Sequence, residues 1–200
     1  MLSRLGRTTA DLAAIVLTHS HFDHVGFAER ARRELGVEVW VHENDVPLTR
    51  HPLQYAHERS RLPYLFRPGG LPVYAAMTAQ RAIFAPSIES VRRFGDDAEA
   101  LPLPASLLPT PGHTLGHCAL HLADRDAVIA GDAIVARDPY TGRRGPRLVS
   151  RCAVADSERN LRSLDAIAAT GAATVLTGHG EPLAGGAEHA VERARAAGLS

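Results

Sequence analysis

Four short apolar runs in this chain stop on a histidine or an aspartate, and that repeated ending constrains the fold more than any other feature. "AAIVL" (13–17) runs into His19, His21, Asp23 and His24, "ASLLPTPGH" (105–113) ends on His113, "DAVIAGD" (126–132) on Asp132 and "ATVLTGH" (173–179) on His179. Runs of this length with β-branched residues such as Ile15 and Val16 favour buried strands. If the strands lie in packed sheets with matching direction, their C-terminal loops gather at one edge, where α/β folds commonly hold ligands. Seven metal-capable side chains then meet in space.

Chance is a poor account of the first cluster. With 11 His and as many Asp in 200 residues, the expected number of HxHxDH matches is about 0.002. Imidazole and carboxylate donors suit zinc or iron, and a carboxylate shared between two cations lets them sit close together.

The segments between these runs read as helices and further strands. "FAERARRELG" (27–36) is periodic, with Phe27, Ala31 and Leu35 on one face and Gly36 as its stop; "VEVWV" (37–41) and "CALHLAD" (118–124) alternate as strands. "DSERNLRSLDAIAATG" (156–171) predicts a helix capped by Asp156 or Ser157, with Leu161, Leu164, Ile167 and Ala168 on one face. Residues 45–95 are broken by Pro47, Pro52, Pro63, Pro68, Pro72 and Pro86, so short helices and irregular connections are expected there, the best helix being 72–85. Tyr55, Tyr64, Phe66, Tyr74 and Phe84 gather in that segment, which reads either as a surface excursion or as a lid whose Tyr55, His57 and Tyr64 touch substrate.

Composition narrows the function classes. The net charge is 0, with 22 basic and 22 acidic residues, which gives no reason to expect nucleic acid or an anionic membrane as partner. All the basic residues are arginine, so Schiff-base lysine chemistry and a P-loop are excluded. Cys118 and Cys152 show no CxxC spacing and read as core thiols in a reducing compartment. No run of 18 apolar residues and no secretory h-region is present, so a single domain over 1–200 in the cytoplasm is the expectation. Arg143 and Arg144, in "TGRRG" shortly after Asp132, could grip an anionic group of a small-molecule substrate or simply decorate a solvated turn.

"THSHFDH", "TPGHTLGH", "GDA" and "TGHG", in this order and at these strand ends, resemble the metallo-β-lactamase-fold hydrolase superfamily, generic glyoxalase II-like members included. The resemblance implies an α/β (α+β) four-layer αββα sandwich with a dinuclear centre, zinc by preference and iron or manganese as alternatives. By motif, His19, His21 and His113 would hold the first metal, Asp23, His24 and His179 the second, and Asp132 would bridge them. His117 would stand behind the ligands and orient them. The implied chemistry is metal-assisted hydrolysis of a small ester, thioester, lactone or related substrate, with Asp23 both ligand and acceptor of the nucleophile's proton. Two other readings share the motifs: a mononuclear-iron oxidoreductase resembling persulfide dioxygenases, using His19, His113 and Asp132, and a catalytically silent binding module.

The chain departs from the family in two places. Only 18 residues precede His19, so the first half-sheet is expected to be incomplete, through an upstream start or a true truncation, with an edge open to a second copy in a homodimer. Val135 stands where lactonases of this fold resemble a pattern with tyrosine, and with one short helix, 187–198, in the 21 residues given after His179, a glutathione thioester is not the expected substrate.

Overall fold

The structure is a computed structural model that describes residues 2–79, 84–97 and 101–199. Two sheets carry the site. The first is three parallel strands in the order β1 (Ala14–Val16), β2 (Glu38–His42), β3 (Arg92–Phe94). The second has five strands in the order β10-β9-β6-β5-β4, where β4 is Ser106–Pro109, β5 Cys118–Leu122, β6 Ala127–Gly131, β9 Thr174–Thr177 and β10 Leu183–Ala184. A hairpin of β7 (Val135–Arg137) and β8 (Arg144–Arg147) stands apart.

Strand direction places the chemistry. β1 and β2 run parallel, β6 and β9 run parallel, and β4 reaches β6 through two antiparallel pairings, so β4, β6 and β9 also share a direction. The C-terminal ends of each set therefore open on one edge. The sheets meet there: the Cys118 N–H donates to the Thr18 carbonyl at 2.9 Å, tying the start of β5 to the chain leaving β1.

Helices cover the sheets. α6 (Ser157–Ala168) begins at Asp156, whose carboxylate accepts the Arg159 N–H at 2.8 Å, which supplies one orphan donor of the first turn with a partner. Leu164 and Ile167 are buried with Val128, Ile134 and Val175, and α7 (Ala187–Ala197) adds Ala190, Val191 and Ala194 to the same core. Each large aliphatic side chain buried there contributes roughly 1.5–3 kcal/mol. The other sheet packs Val39 and Val41 against Val25 and Ala28, completing an αββα arrangement. Cys118 and Cys152 are free buried thiols, and burial pushes both up to about 12. No described helix is long and apolar enough to cross a membrane.

Two expectations need correcting. α2 (Ala28–Leu35) does not bury Phe27 and Leu35, which are 56% and 39% exposed; its buried residues are Ala28, Glu29 and Ala31. Phe27 occupies the cap position ahead of the helix, so the helical spacing does not govern where its ring points. β3 was hidden in the irregular stretch because "RRF" has no alternation, and it forms an edge strand with Arg92 and Arg93 at the surface and Phe94 inside. The other described residues of 45–95 include three short helices, α3 (Val46–Arg50), α4 (Leu62–Leu65) and α5 (Leu71–Ala79), with irregular connections between them; α5 covers the first part of the expected helix at 72–85, of which 80–83 lie outside the described residues.

This segment is clamped to the second half of the chain. Glu58 accepts the Ser157 N–H at 2.7 Å and the Ser157 hydroxyl at 2.8 Å at the start of α6, and Arg151 from the turn ahead of it. Tyr55 packs with Val135, Val149 and Val154, and its hydroxyl meets that of Tyr140 at 3.0 Å.

Candidate metal centre

His19 and His21 lie two residues apart on backbone leaving β1. His21 then caps a single helical turn, α1 (Phe22–Val25), which carries Asp23 and His24. Three short loops add the rest: His113 four residues after β4, Asp132 directly after β6, and His179 two residues after β9.

The donor atoms converge in three overlapping groups, His19 with His21 and His113, His19 with His24 and Asp132, and Asp23 with His24 and His179; within each, all lie within 4.8 Å of one another. Asp132 stands between the first and last of these. Its Oδ2 is 3.5 Å from His113 Nε2 and 3.2 Å from His179 Nε2, and its Oδ1 is 3.7 Å from His24 Nε2. His179 Nε2 also lies 3.2 Å from Asp23 Oδ2.

Four of these atoms are buried without a hydrogen-bond partner: Nε2 of His19, His21 and His113, and Oδ1 of Asp132. A buried polar atom left unpaired costs about 1–3 kcal/mol, so four aimed at one another need an explanation. A divalent cation supplies it, because neutral imidazoles and a carboxylate are its ordinary ligands. The donor set fits the metal that the motifs imply.

Charge follows the same division. Burial drives His19 and His21 well below the usual histidine range and takes His113 down to about 4, leaving these rings neutral and able to ligate. Burial acts in the same sense on His179 and His24 but is outweighed by Asp132 and Asp23, so His179 rises to about 11 and His24 rises above its ordinary value. Asp132 is held well below the carboxylate range by His179 and His24 against the opposing effect of burial. Without a cation, then, His179 holds a proton that a metal must displace. Metal binding is expected to release protons, and affinity to fall about tenfold per pH unit of acidification for each proton displaced. Calorimetric titration in buffers of different ionisation enthalpy reads that number directly, and buffer-independent heats would refute the displacement.

The surrounding shell holds these side chains in place. His117 uses both ring nitrogens: Nδ1 donates to the Thr110 hydroxyl at 2.8 Å, and Nε2 accepts the Asp132 backbone N–H at 3.1 Å. It is 1% exposed and burial lowers it to about 3, so it stays neutral and acts on the position of Asp132. Asn160 spans two loops, accepting the His113 N–H and donating to the Ala133 carbonyl. Motif reading alone missed Asp45. Its carboxylate accepts the Ser20 N–H at 3.0 Å, the Thr114 hydroxyl at 2.8 Å and the Gly116 N–H at 2.8 Å, joining the loop of His19 and His21 to that of His113 and His117. The available signal was its place just past the end of β2, a strand parallel to β1.

Gly178 is required by space. A Cβ there would fall 2.0 Å from Asp132 Oδ1 and 2.8 Å from His24 Cε1. Gly178→Ala is expected to push Asp132 aside and weaken metal affinity about 10–100-fold, the range for disturbing what supports a ligand; unchanged affinity in a metal titration would contradict this packing.

The remaining candidates are dispersed. The Tyr55 ring packs on His21 with centroids 4.1 Å apart, at the edge of the centre. Tyr64 is buried against Tyr140, with ring centroids 6.3 Å apart, rather than facing the ligands. His57 is exposed, and Arg143 and Arg144 lie exposed on the β7–β8 hairpin, Arg144 beside a different cleft lined by Arg137 and Gly180.

The sequence profile of the metallo-beta-lactamase superfamily matches residues 2–179, which takes in all seven candidate ligands. The chain belongs to this superfamily. Among relatives, it is 27% identical over 181 residues to the probable metallo-hydrolase YflN of Bacillus subtilis, covering 87% of this chain and 66% of that protein. It is 29% identical over 138 residues to the hydroxyacylglutathione hydrolase GloC of Haemophilus influenzae, covering 67% of this chain and 55% of that one. The chain thus spans about half to two thirds of these curated relatives. Among solved structures, a metallo-beta-lactamase family protein of Thermus thermophilus superposes with a TM-score of 0.63 at 24% identity, over 98% of this chain and 62% of that one. The protein TTHA1623, solved in a di-iron-bound form, gives 0.60 at 24% identity over 92% and 76%. These likenesses agree with the metallo-beta-lactamase fold built above from strand order.

Proposed function

We propose that this chain is a metal-dependent hydrolase with a dinuclear centre that cleaves a small ester, thioester, lactone or related molecule. The observation that carries the reading is the set of four unpartnered buried donor atoms on His19, His21, His113 and Asp132, next to a second group made by Asp23, His24 and His179. Divalent metal held there supplies water acidified toward neutrality and a Lewis acid for the oxygen of the scissile bond.

The protein's own groups do the rest. Asp132 faces both donor groups and can be shared between them. Asp23 is half-buried, the more accessible of the two carboxylates, and can take the proton that an attacking water gives up. His117 and Asp45 fix the loops, so the donors need little rearrangement. The names of YflN and GloC support hydrolysis, and the di-iron form of TTHA1623 keeps iron beside zinc and manganese as the resident metal. The neutral net charge favours a small molecule over nucleic acid as partner.

Elemental mass spectrometry on protein purified without chelator, paired with an ester, thioester and lactone panel, tests this. About two metal ions per chain with hydrolysis is the expected result. A single iron without hydrolysis would replace the proposal with the oxidoreductase reading, and a folded protein that takes up no added metal would leave only a binding module.

A further inference from the structure

Beside His21 and His113 lies a cleft of about 210 Å³ whose walls include Leu48, Tyr55, Leu115 and Ala155. It is below the ~300–1,000 Å³ of sites that take drug-sized ligands. Two of the seven candidate ligands, His21 and His113, belong to its lining.

Leu115 is the telling wall residue. It is 50% exposed although it sits between the ligand His113 and the buried His117. Its neighbours on both sides, Thr114 and Gly116, are bonded to Asp45, so the backbone that carries Leu115 is pinned. A leucine held in the open costs hydration free energy until something apolar covers it. Tyr55 adds a ring rather than a polar tip, because its hydroxyl is taken by Tyr140.

The carboxylate among the described wall residues, Asp45, is already engaged by the protein. Both oxygens of Asp45 are occupied by donors from the protein. Among the described residues, no arginine lines the cleft. The nearby Arg61 guanidinium lies 4.1 Å from the Tyr55 ring centroid, with Nη2 on the Tyr55 carbonyl.

We propose that this cleft seats a short, uncharged hydrocarbon group of the substrate, so that the enzyme selects small apolar esters or thioesters over anionic ones. The inference rests on the hydrolase reading and names its substrate class. Each methylene that enters the cleft should strengthen binding about fourfold, until the chain outgrows the space.

Two ester series test it on the metal-loaded full chain: p-nitrophenyl alkanoates, which vary the acyl group, and alkyl acetates, which vary the alcohol. The expected result is kcat/KM rising about fourfold per methylene in one series over the first few carbons, with the slope reduced in Leu115→Ala and absent in Leu115→Asp. Equal rates along both series would overturn the apolar cleft and leave the hydrolase standing. If no ester in either series is cleaved, the hydrolase reading is judged on the thioester and lactone panel, and N-alkyl acetamide binding followed by NMR titration still judges the cleft. Tightening with chain length, lost in Leu115→Asp, supports it; length-independent binding overturns it.

Discussion

Asp132→Ala is expected to empty the centre and lower the proposed hydrolysis by about 10³-fold or more, since a bound metal would contribute several kcal/mol to its transition state. Asp132 is the residue to remove because Oδ2 reaches toward His113 and His179 while Oδ1 reaches toward His24, so both donor groups lose a member at once. The metal-free protein should suffer too. Asp132 is 3% exposed and is the first of two anions, ahead of Asp23, that keep His179 protonated. Breaking a buried pair by deleting one partner costs about 3–5 kcal/mol. Relief of that cost by deprotonating His179 would shift the histidine back toward its ordinary range, which NMR titration of the ring can follow. Asp132→Asn separates the effects: it keeps the shape and removes the charge, so folding should survive better than metal binding. Full metal occupancy in Asp132→Ala, measured per chain after dialysis, would sink the assignment of the centre.

Asp45→Ala is expected to be the second most damaging change, although Asp45 belongs to none of the three donor groups. Alanine would strand the Ser20 and Gly116 N–H groups and the Thr114 hydroxyl in a buried setting. At about 1–3 kcal/mol for each unsatisfied group, the loss is several kcal/mol of stability, offset wherever water enters. Asp45→Asn should rescue little. An amide has one acceptor oxygen, and its NH2 would face either the Gly116 N–H or the Ser20 N–H and Thr114 hydroxyl. Because Ser20 lies between His19 and His21, and Thr114 follows His113, metal affinity should fall about 10–100-fold in whatever protein folds. Thermal unfolding with and without added metal separates the two losses. Wild-type stability in Asp45→Ala would mean that the carboxylate does not join the loops.

The donor set is legible in the amino-acid order because its signal is local. Each of the four runs reads as a strand from a handful of residues, and each ends within four residues of a candidate ligand, so the candidates stand out by position along the chain. The helix from Ser157 is legible for the same reason, since its cap and its apolar spacing lie within one segment. β3 is not, because an edge strand buries little and "RRF" carries no alternation. α2 misleads because Phe27 shares the spacing of its face but stands outside the helix.

What the sequence determined by itself was therefore the identity of the metal-capable residues and the strand ends that bear them. Tertiary structure alone decided how they are supported and what lies beside them. The Asp45 bridge joins residues 71 positions apart, the His117 to Asp132 bond 15, and the Glu58 clamp 99. The cleft takes its walls from Leu48, Tyr55, Leu115 and Ala155, four separate stretches of chain. Periodicity and motif spacing report what a residue does with its near neighbours. Contacts like these depend on which loops the sheets bring to the same edge, and that is settled only when strand direction and packing are fixed together.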